Sequence, residues 1–155
     1  NDASAVRQAI AAGVDCCGEN RVQELVAKEK ENAYAGAPVH FIGVLQTNKV
    51  KQVVGHVDLI QSVDRLGLME AIEKEAAKKD LIQDILLEIN IGEEASKSGF
   101  GVDDILPLMD KIGEFSGSTP IIFISLFLVF FFFFLSFPLS FFSAFFSAFS
   151  FPSSP

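Results

Sequence analysis

The chain has 155 residues, enough for one ordinary domain, and carries a formal net charge of −8 at pH 7. Acidic and basic residues are interspersed along helix-like segments, which excludes general nucleic-acid binding, because that needs clustered Lys and Arg to displace counterions from phosphates. Lys49 and Lys51 leave one local basic spot, sufficient for a small phosphorylated ligand. Every charged residue lies at or before Glu114, and most of the 17 Phe come after it, so the composition expects a boundary: a globular piece over 1–115 and a low-complexity Phe/Ser/Leu/Pro tail over 116–155.

The chain begins at Asn1-Asp2-Ala3-Ser4, without Met. Ser4 is expected as the N-cap of a helix already under way, with further residues upstream. Ala5 to Ala12 is a short helix with Val6 and Ile10 one turn apart, and Gly13 is placed to end it. Val14-Asp15-Cys16-Cys17 is the first strand candidate. Its adjacent cysteines point to opposite faces, so a disulfide between them is disfavoured and both are expected as reduced packing residues. No zinc framework and no amino-terminal signal peptide are present, and the expectation is an intracellular, cytoplasmic setting.

Val22, Leu25 and Val26 fall at helical spacing on a segment running to about Glu31, with Lys and Glu on its other face. Val39 to Gly43 is the next strand, and Lys49 to Val54 a short helix closed by Gly55. Leu59 to Val63 is strand-like. Asp64 then caps a helix that carries Leu66, Met69, Ile72 and Ala76 on one face, to about Lys79. Ile85 to Ile91 is the clearest strand, and Val102 to Ile112 a last amphipathic helix. Strict strand–helix alternation expects a parallel sheet, which an open doubly wound sheet and a (β/α)8 barrel fit equally.

Ile121 to Phe137 is almost unbroken apolar sequence, followed by Ser/Phe/Pro repeats. At about 17 residues it only just reaches the length of a membrane helix, and its distal side has no Lys, Arg, Trp or Tyr anchors. From Ser125 onward only Val129, Ala144 and Ala148 depart from Phe, Ser, Leu and Pro, the four amino acids that all-pyrimidine codons specify. Translation of a pyrimidine-rich tract is the expected origin, in preference to a membrane anchor. As polypeptide, Phe130 to Phe134 should aggregate.

Three apolar runs end in small polar or glycine clusters: Gly18-Glu19-Asn20, Gln46-Thr47-Asn48-Lys49 after Val39 to Gly43, and Ser96-Lys97-Ser98-Gly99-Phe100. In parallel α/β proteins ligands sit beyond the carboxyl ends of the strands, so these clusters predict one site built from three loops. Asn20 can donate to or accept from a ligand oxygen, whereas Glu19 reads as a cap for the next helix. His40 alone reads as a hydrogen-bonded core histidine and His56 as a loop histidine. Lys97 could partner a phosphate or present an amine to a carbonyl, or simply face solvent.

Taken together, Gly18-Glu19-Asn20-Arg21-Val22-Gln23-Glu24, His40-Phe41-Ile42-Gly43-Val44-Leu45-Gln46-Thr47-Asn48-Lys49, Ser62-Val63-Asp64-Arg65-Leu66 and Glu88-Ile89-Asn90-Ile91 through Gly99-Phe100 resemble the pyridoxal phosphate homeostasis protein family over about Asn1 to Gly113. The resemblance implies a partial (β/α)8 TIM barrel of the alanine racemase N-terminal type with about four strands present. It implies a small-molecule partner, pyridoxal 5′-phosphate (PLP), held on a lysine, in vitamin B6 and amino-acid homeostasis without established catalysis. Asn20 would face the cofactor ring, Lys97 would lie near the pocket as a second amine, and His40 would belong to the pocket-side end of its strand.

The family's anchoring lysine lies in a Val-Ser/Thr-Lys pattern upstream of the first helix here, and its phosphate grip in Ser-Met-Gly-Met-Ser-like and Arg-Ile-Gly segments. None of these patterns occurs in this sequence. A racemase or decarboxylase on the same barrel is the enzyme alternative and would need a second domain; a membrane-tethered module is another. A (β/α)8 barrel takes about 250 residues, so four strands cannot close, and the polypeptide is expected to fold poorly or to depend on another chain.

Overall fold

The amphipathic segments form in the order expected, and the computed structural model describes residues 1–90, 98–112 and 118–121. Helix α1 (Ala3–Ala11) is capped by Asp2, whose Oδ1 accepts from the Ala5 N–H at 2.8 Å. Ser4 therefore lies inside the helix instead of capping it, where its Oγ accepts from Gln8 Nε2 at 3.3 Å. Gly13 ends the helix at φ +97°, a conformation that glycine adopts without a Cβ penalty.

Strand β1 (Cys17–Glu19) starts three residues later than the sequence suggests. Val14 is spent on the helix end, where its N–H donates to Ala9 O, and sheet pairing begins with Cys17 N–H donating to Pro38 O at 2.8 Å. Cys16 is consequently exposed and not a packing residue, while Cys17 packs partly buried against the core. Helix α2 (Val22–Lys30) buries Val22, Leu25 and also Lys28, a residue its polarity places on the solvent side.

Strand β2 (Val39–Phe41) leads to a 3-10 helix (Thr47–Gln52), and Gly55 follows at φ +75°. Strand β3 (Leu59–Val63) leads to helix α3 (Leu66–Lys78), which buries Leu68, Met69, Ile72 and Ala76. Asp64 does not cap α3: the N-cap is Arg65, which makes no side-chain cap bond, and the Asp64 carboxylate accepts from the Arg65 guanidinium instead. Strand β4 (Gln83–Leu87) is shorter than the Ile85 to Ile91 run; Ile89 makes only an isolated parallel bridge to Phe100, and Ile91 lies outside the described residues. A 3-10 turn (Val102–Asp104) precedes α4 (Ile105–Ile112). Strand β5 (Ser118–Ile121) adds a fifth strand to the four expected.

The five strands pair in the order β1-β2-β3-β4-β5, every pair parallel. That order separates the two architectures left open above. A doubly wound sheet reverses its strand order at a switch point in its interior, whereas a (β/α) barrel lays each strand beside its predecessor. The chain forms part of a barrel wall. Phe41, Ile60 and Ile85 from neighbouring strands and Leu25, Leu68, Met69 and Ile72 from the helices are fully buried in one core between sheet and helices. Each such side chain stabilises by roughly 1.5–3 kcal/mol relative to exposure. Among the described residues no helix is long and apolar enough to cross a membrane; the apolar run from Ile122 onward lies outside them.

Candidate functional site

All strands point the same way, so the segments after β1, β2, β3 and β4 emerge at one end of the sheet. The first two are in direct backbone contact. Ile42 N–H donates to Glu19 O at 2.8 Å, and a Cβ built on Gly43 would lie 2.1 Å from the Asn20 carbonyl oxygen. Only glycine allows that approach. The third segment is tied to the second by Ser62 Oγ, which donates to Gly43 O, and by Arg65, whose guanidinium donates to Leu45 O at 3.2 Å and Thr47 Oγ1 at 3.3 Å. The fourth joins through Glu88 N–H to Val63 O at 2.8 Å.

Phe100 lies beside this fourth segment, in a parallel bridge with Ile89. Phe100 N–H donates to Glu88 O at 2.8 Å and Asn90 N–H to Phe100 O at 2.9 Å, while Gly99, at φ +118°, fits where a Cβ would come within 2.9 Å of Asn90 N. Glu88 is half-buried on the face away from the helices. Burial first, and the Asp64 carboxylate second, push its pKa above the ordinary glutamate value, so it holds its proton to higher pH than a free side chain.

Alternation gives that inner face its residues. Val39 and Phe41 point into the core, so His40 points the other way, in register with Gly18 on β1 and Leu59 on β3. Gln61, two residues beyond Leu59, meets it: Gln61 Nε2 and His40 Nδ1 are 3.0 Å apart. Asp84 and Leu86 continue the face on β4.

Behind the mouth, on the helix side, Glu19 is buried and does not cap α2. Its carboxylate accepts from Lys28 Nζ at 2.6 Å, and Glu24 lies 3.5 Å from the same ammonium. Tyr34 shares this buried patch. Burial and then the Glu19 carboxylate raise its hydroxyl pKa well above the ordinary tyrosine value.

The structure thus joins the first two expected clusters, with Asn20 exposed at the mouth and His40 half-buried one residue before the end of β2. Of the third cluster, Ser98, Gly99 and Phe100 are described, whereas Lys97 lies outside the described residues. Gln61 was not singled out by the sequence, and Ser62, Asp64 and Glu88 entered only within the quoted motifs, Asp64 also as a helix cap, with no role in the site. Alternation was the available signal for Gln61 and Glu88, since each is a polar residue out of phase with buried neighbours. Among the described residues no group of three or more His, Cys, Asp or Glu could hold a metal ion.

The alanine racemase N-terminal domain family matches residues 1–132. The pyridoxal phosphate homeostasis protein of Aquifex aeolicus is 41% identical over 105 residues, covering 68% of this chain and 46% of that one. The protein of the same name from Pseudomonas aeruginosa is 36% identical over 110 residues, covering 71% and 48%. The chain spans about half the length of the curated relatives it matches. Among solved structures, PipY of Synechococcus elongatus PCC7942 with PLP bound superimposes at a TM-score of 0.71 with 29% identity, covering 83% of this chain and 61% of that one. Alanine racemase of Clostridium difficile 630, at a TM-score of 0.64 and 12% identity over 79% of this chain and 31% of that one, shares the fold. The strand-end mouth described above is therefore that of an alanine racemase-type barrel, and the chain belongs to the alanine racemase N-terminal domain family, on its pyridoxal phosphate homeostasis branch.

Proposed function

We propose that this chain contributes the non-covalent side of a PLP pocket in a protein that holds the cofactor for vitamin B6 homeostasis without turning over an amino acid. The observation that carries the reading is the fused mouth, where the Asn20 and Gly43 backbones touch and Asn20 stays exposed. The donor set suits such a ligand on one side only. A flat, polar heteroaromatic fits a face of Leu59, Leu86 and Ile42 interrupted by His40, Gln61, Asp84 and Glu88. No lysine occurs on the described strands, so the described residues fit the ring of the group and not its covalent attachment.

When bound, PLP supplies a reactive aldehyde and a phosphate. Asn20 offers an amide that can donate to or accept from the ring substituents. His40 lies at the floor of the face, and Lys97 is assigned to the pocket as a second amine. Glu88, its pKa raised by burial and then by the Asp64 carboxylate, keeps an O–H available to a ligand oxygen to higher pH than a free glutamate would. The absence of turnover is part of the same reading, supported by the homeostasis name the relatives carry.

Equilibrium dialysis of the purified chain against PLP, with phosphorus NMR of the retained ligand, tests the reading. Saturable retention is expected, weakened about fivefold by Asn20→Ala through loss of one hydrogen bond. Retention no greater than that of a lysine-matched control protein would defeat it. Racemisation of amino acids by the PLP-loaded chain would defeat the non-catalytic part.

A further inference from the structure

We propose that Gln61 is the side chain through which the floor of the inner face meets its ligand, and that His40 is a positioning residue fixing which end of the Gln61 amide is presented. The inference rests on the PLP-binding reading and goes beyond it in naming a contact and its polarity.

Height within the sheet is the first argument. His40 pairs with Leu59, and Gln61 is two residues further along β3. Strand β3 rises about 3.3 Å per residue, so Gln61 stands one side chain nearer the mouth than His40, on the same face. A ligand entering from the strand ends meets Gln61 first.

Hydrogen-bond polarity is the second. With Gln61 Nε2 at 3.0 Å from His40 Nδ1, the amide donates and the imidazole nitrogen accepts, which places the imidazole proton on Nε2. Because the NH2 end of Gln61 is committed to His40, the end left to present is the carbonyl oxygen. On the same face Gly18 has no side chain and Leu59 and Leu86 are apolar, while Asp84, level with Leu59, and Glu88, beyond Leu86, are the other polar groups. Ile42 closes the β1 side, its Cδ1 lying 3.2 Å from where a Gly18 Cβ would be. A carbonyl oxygen presented at that height selects a ligand that carries a donor there, a ring N–H or a phenolic O–H.

The chain has two histidines, so nitrogen-15 NMR of the imidazoles reads the arrangement without ambiguity. His56 is an internal reference, with its Nδ1 held 2.8 Å from a Glu29 carboxylate oxygen and so protonated there. The expected spectrum shows His40 protonated at Nε2 with Nδ1 bare, and Gln61→Glu moves the proton to Nδ1. In dialysis, Gln61→Leu is expected to weaken PLP retention about tenfold, equivalent to one buried acceptor. His40→Leu should weaken retention severalfold in the native chain and have no further effect once Gln61→Leu is present, since it acts through Gln61. Should Gln61→Leu not fold, Gln61→Asn, too short to reach His40, takes its place.

A His40 proton on Nδ1, an undiminished affinity in Gln61→Leu, or additive effects of the two substitutions each overturn the proposal. No retention by the unsubstituted chain defeats the PLP reading and this inference with it. Retention that is indifferent to Gln61 defeats the inference alone.

Discussion

Lys28 shows how far a residue's role can depart from its type. It sits at helical spacing among Val22, Leu25 and Val26, and a lysine there reads as a solvated flank. The fold buries it because Glu19 arrives on β1 with its carboxylate turned inward, and the two form a 2.6 Å ion pair. A buried pair costs desolvation on both sides, and removing one partner strands the other. Lys28→Met should therefore destabilise by about 3–5 kcal/mol, whereas Glu19→Leu combined with Lys28→Met should recover most of the loss, both measured by urea unfolding. Glu88 gives a pH signature of opposite sign to a salt-bridged carboxylate. Its folded pKa lies above its ordinary value of 4.5, so its contribution is fully present below that pH and is lost as pH rises through the folded pKa. Glu88→Gln should match the native chain near pH 4 in urea midpoint and become relatively more stable as pH rises. A gap that narrows with rising pH would contradict the assigned cause.

At the scale of elements, α2, α3 and strands β2 and β3 were legible, because their apolar residues recur at the period of the element. Local competition erased the rest. Val14 has strand propensity but is used to close α1, and β1 begins only where Cys17 can pair with Pro38. Ser4 and Asp2 are both capping residues, and Asp2 takes the role because its carboxylate reaches the Ala5 N–H. Asp2→Ala should cost about 1 kcal/mol and Ser4→Ala much less, a contrast visible in thermal unfolding. Strand β5 was illegible for a different reason. Ser118-Thr119-Pro120-Ile121 has neither alternation nor length, and its strand state comes from parallel pairing with Gln83 to Leu86. In the site, Asn20 and Gly43 could be associated by motif, but Gln61 could not: only the register of β2 against β3 shows which residue His40 meets.

At the largest scale, the described sheet is a wall with two unlike faces. Toward the helices lie fully buried Phe41, Ile60 and Ile85; toward the other side lie half-buried His40, Gln61, Asp84 and Leu86. Strands β2, β3 and β4 have a hydrogen-bonded neighbour on both sides, and β1 and β5 flank them in the described sheet. Amide hydrogen exchange should therefore be slowest in Ile60 to Val63 and Ile85 to Leu87 and several orders of magnitude faster in Ser118 to Ile121. Uniform protection across all five strands would show that another surface covers the flank. The net charge of −8 comes from acidic and basic residues interspersed along the chain up to Glu114, so salt should alter solubility more than it alters this ranking.

The contact between Gly43 and the Asn20 carbonyl separates two properties of the mouth that most binding sites entangle. Its outline is written in main-chain atoms, at a position that bears no side chain, while its chemistry is written in the amide next door. Evolution or an engineer can therefore replace Asn20 to suit a different ligand without reshaping the entrance, but cannot replace Gly43 by even one methyl group and keep it. The entrance is the inherited part, and the residue beside it is the adjustable one.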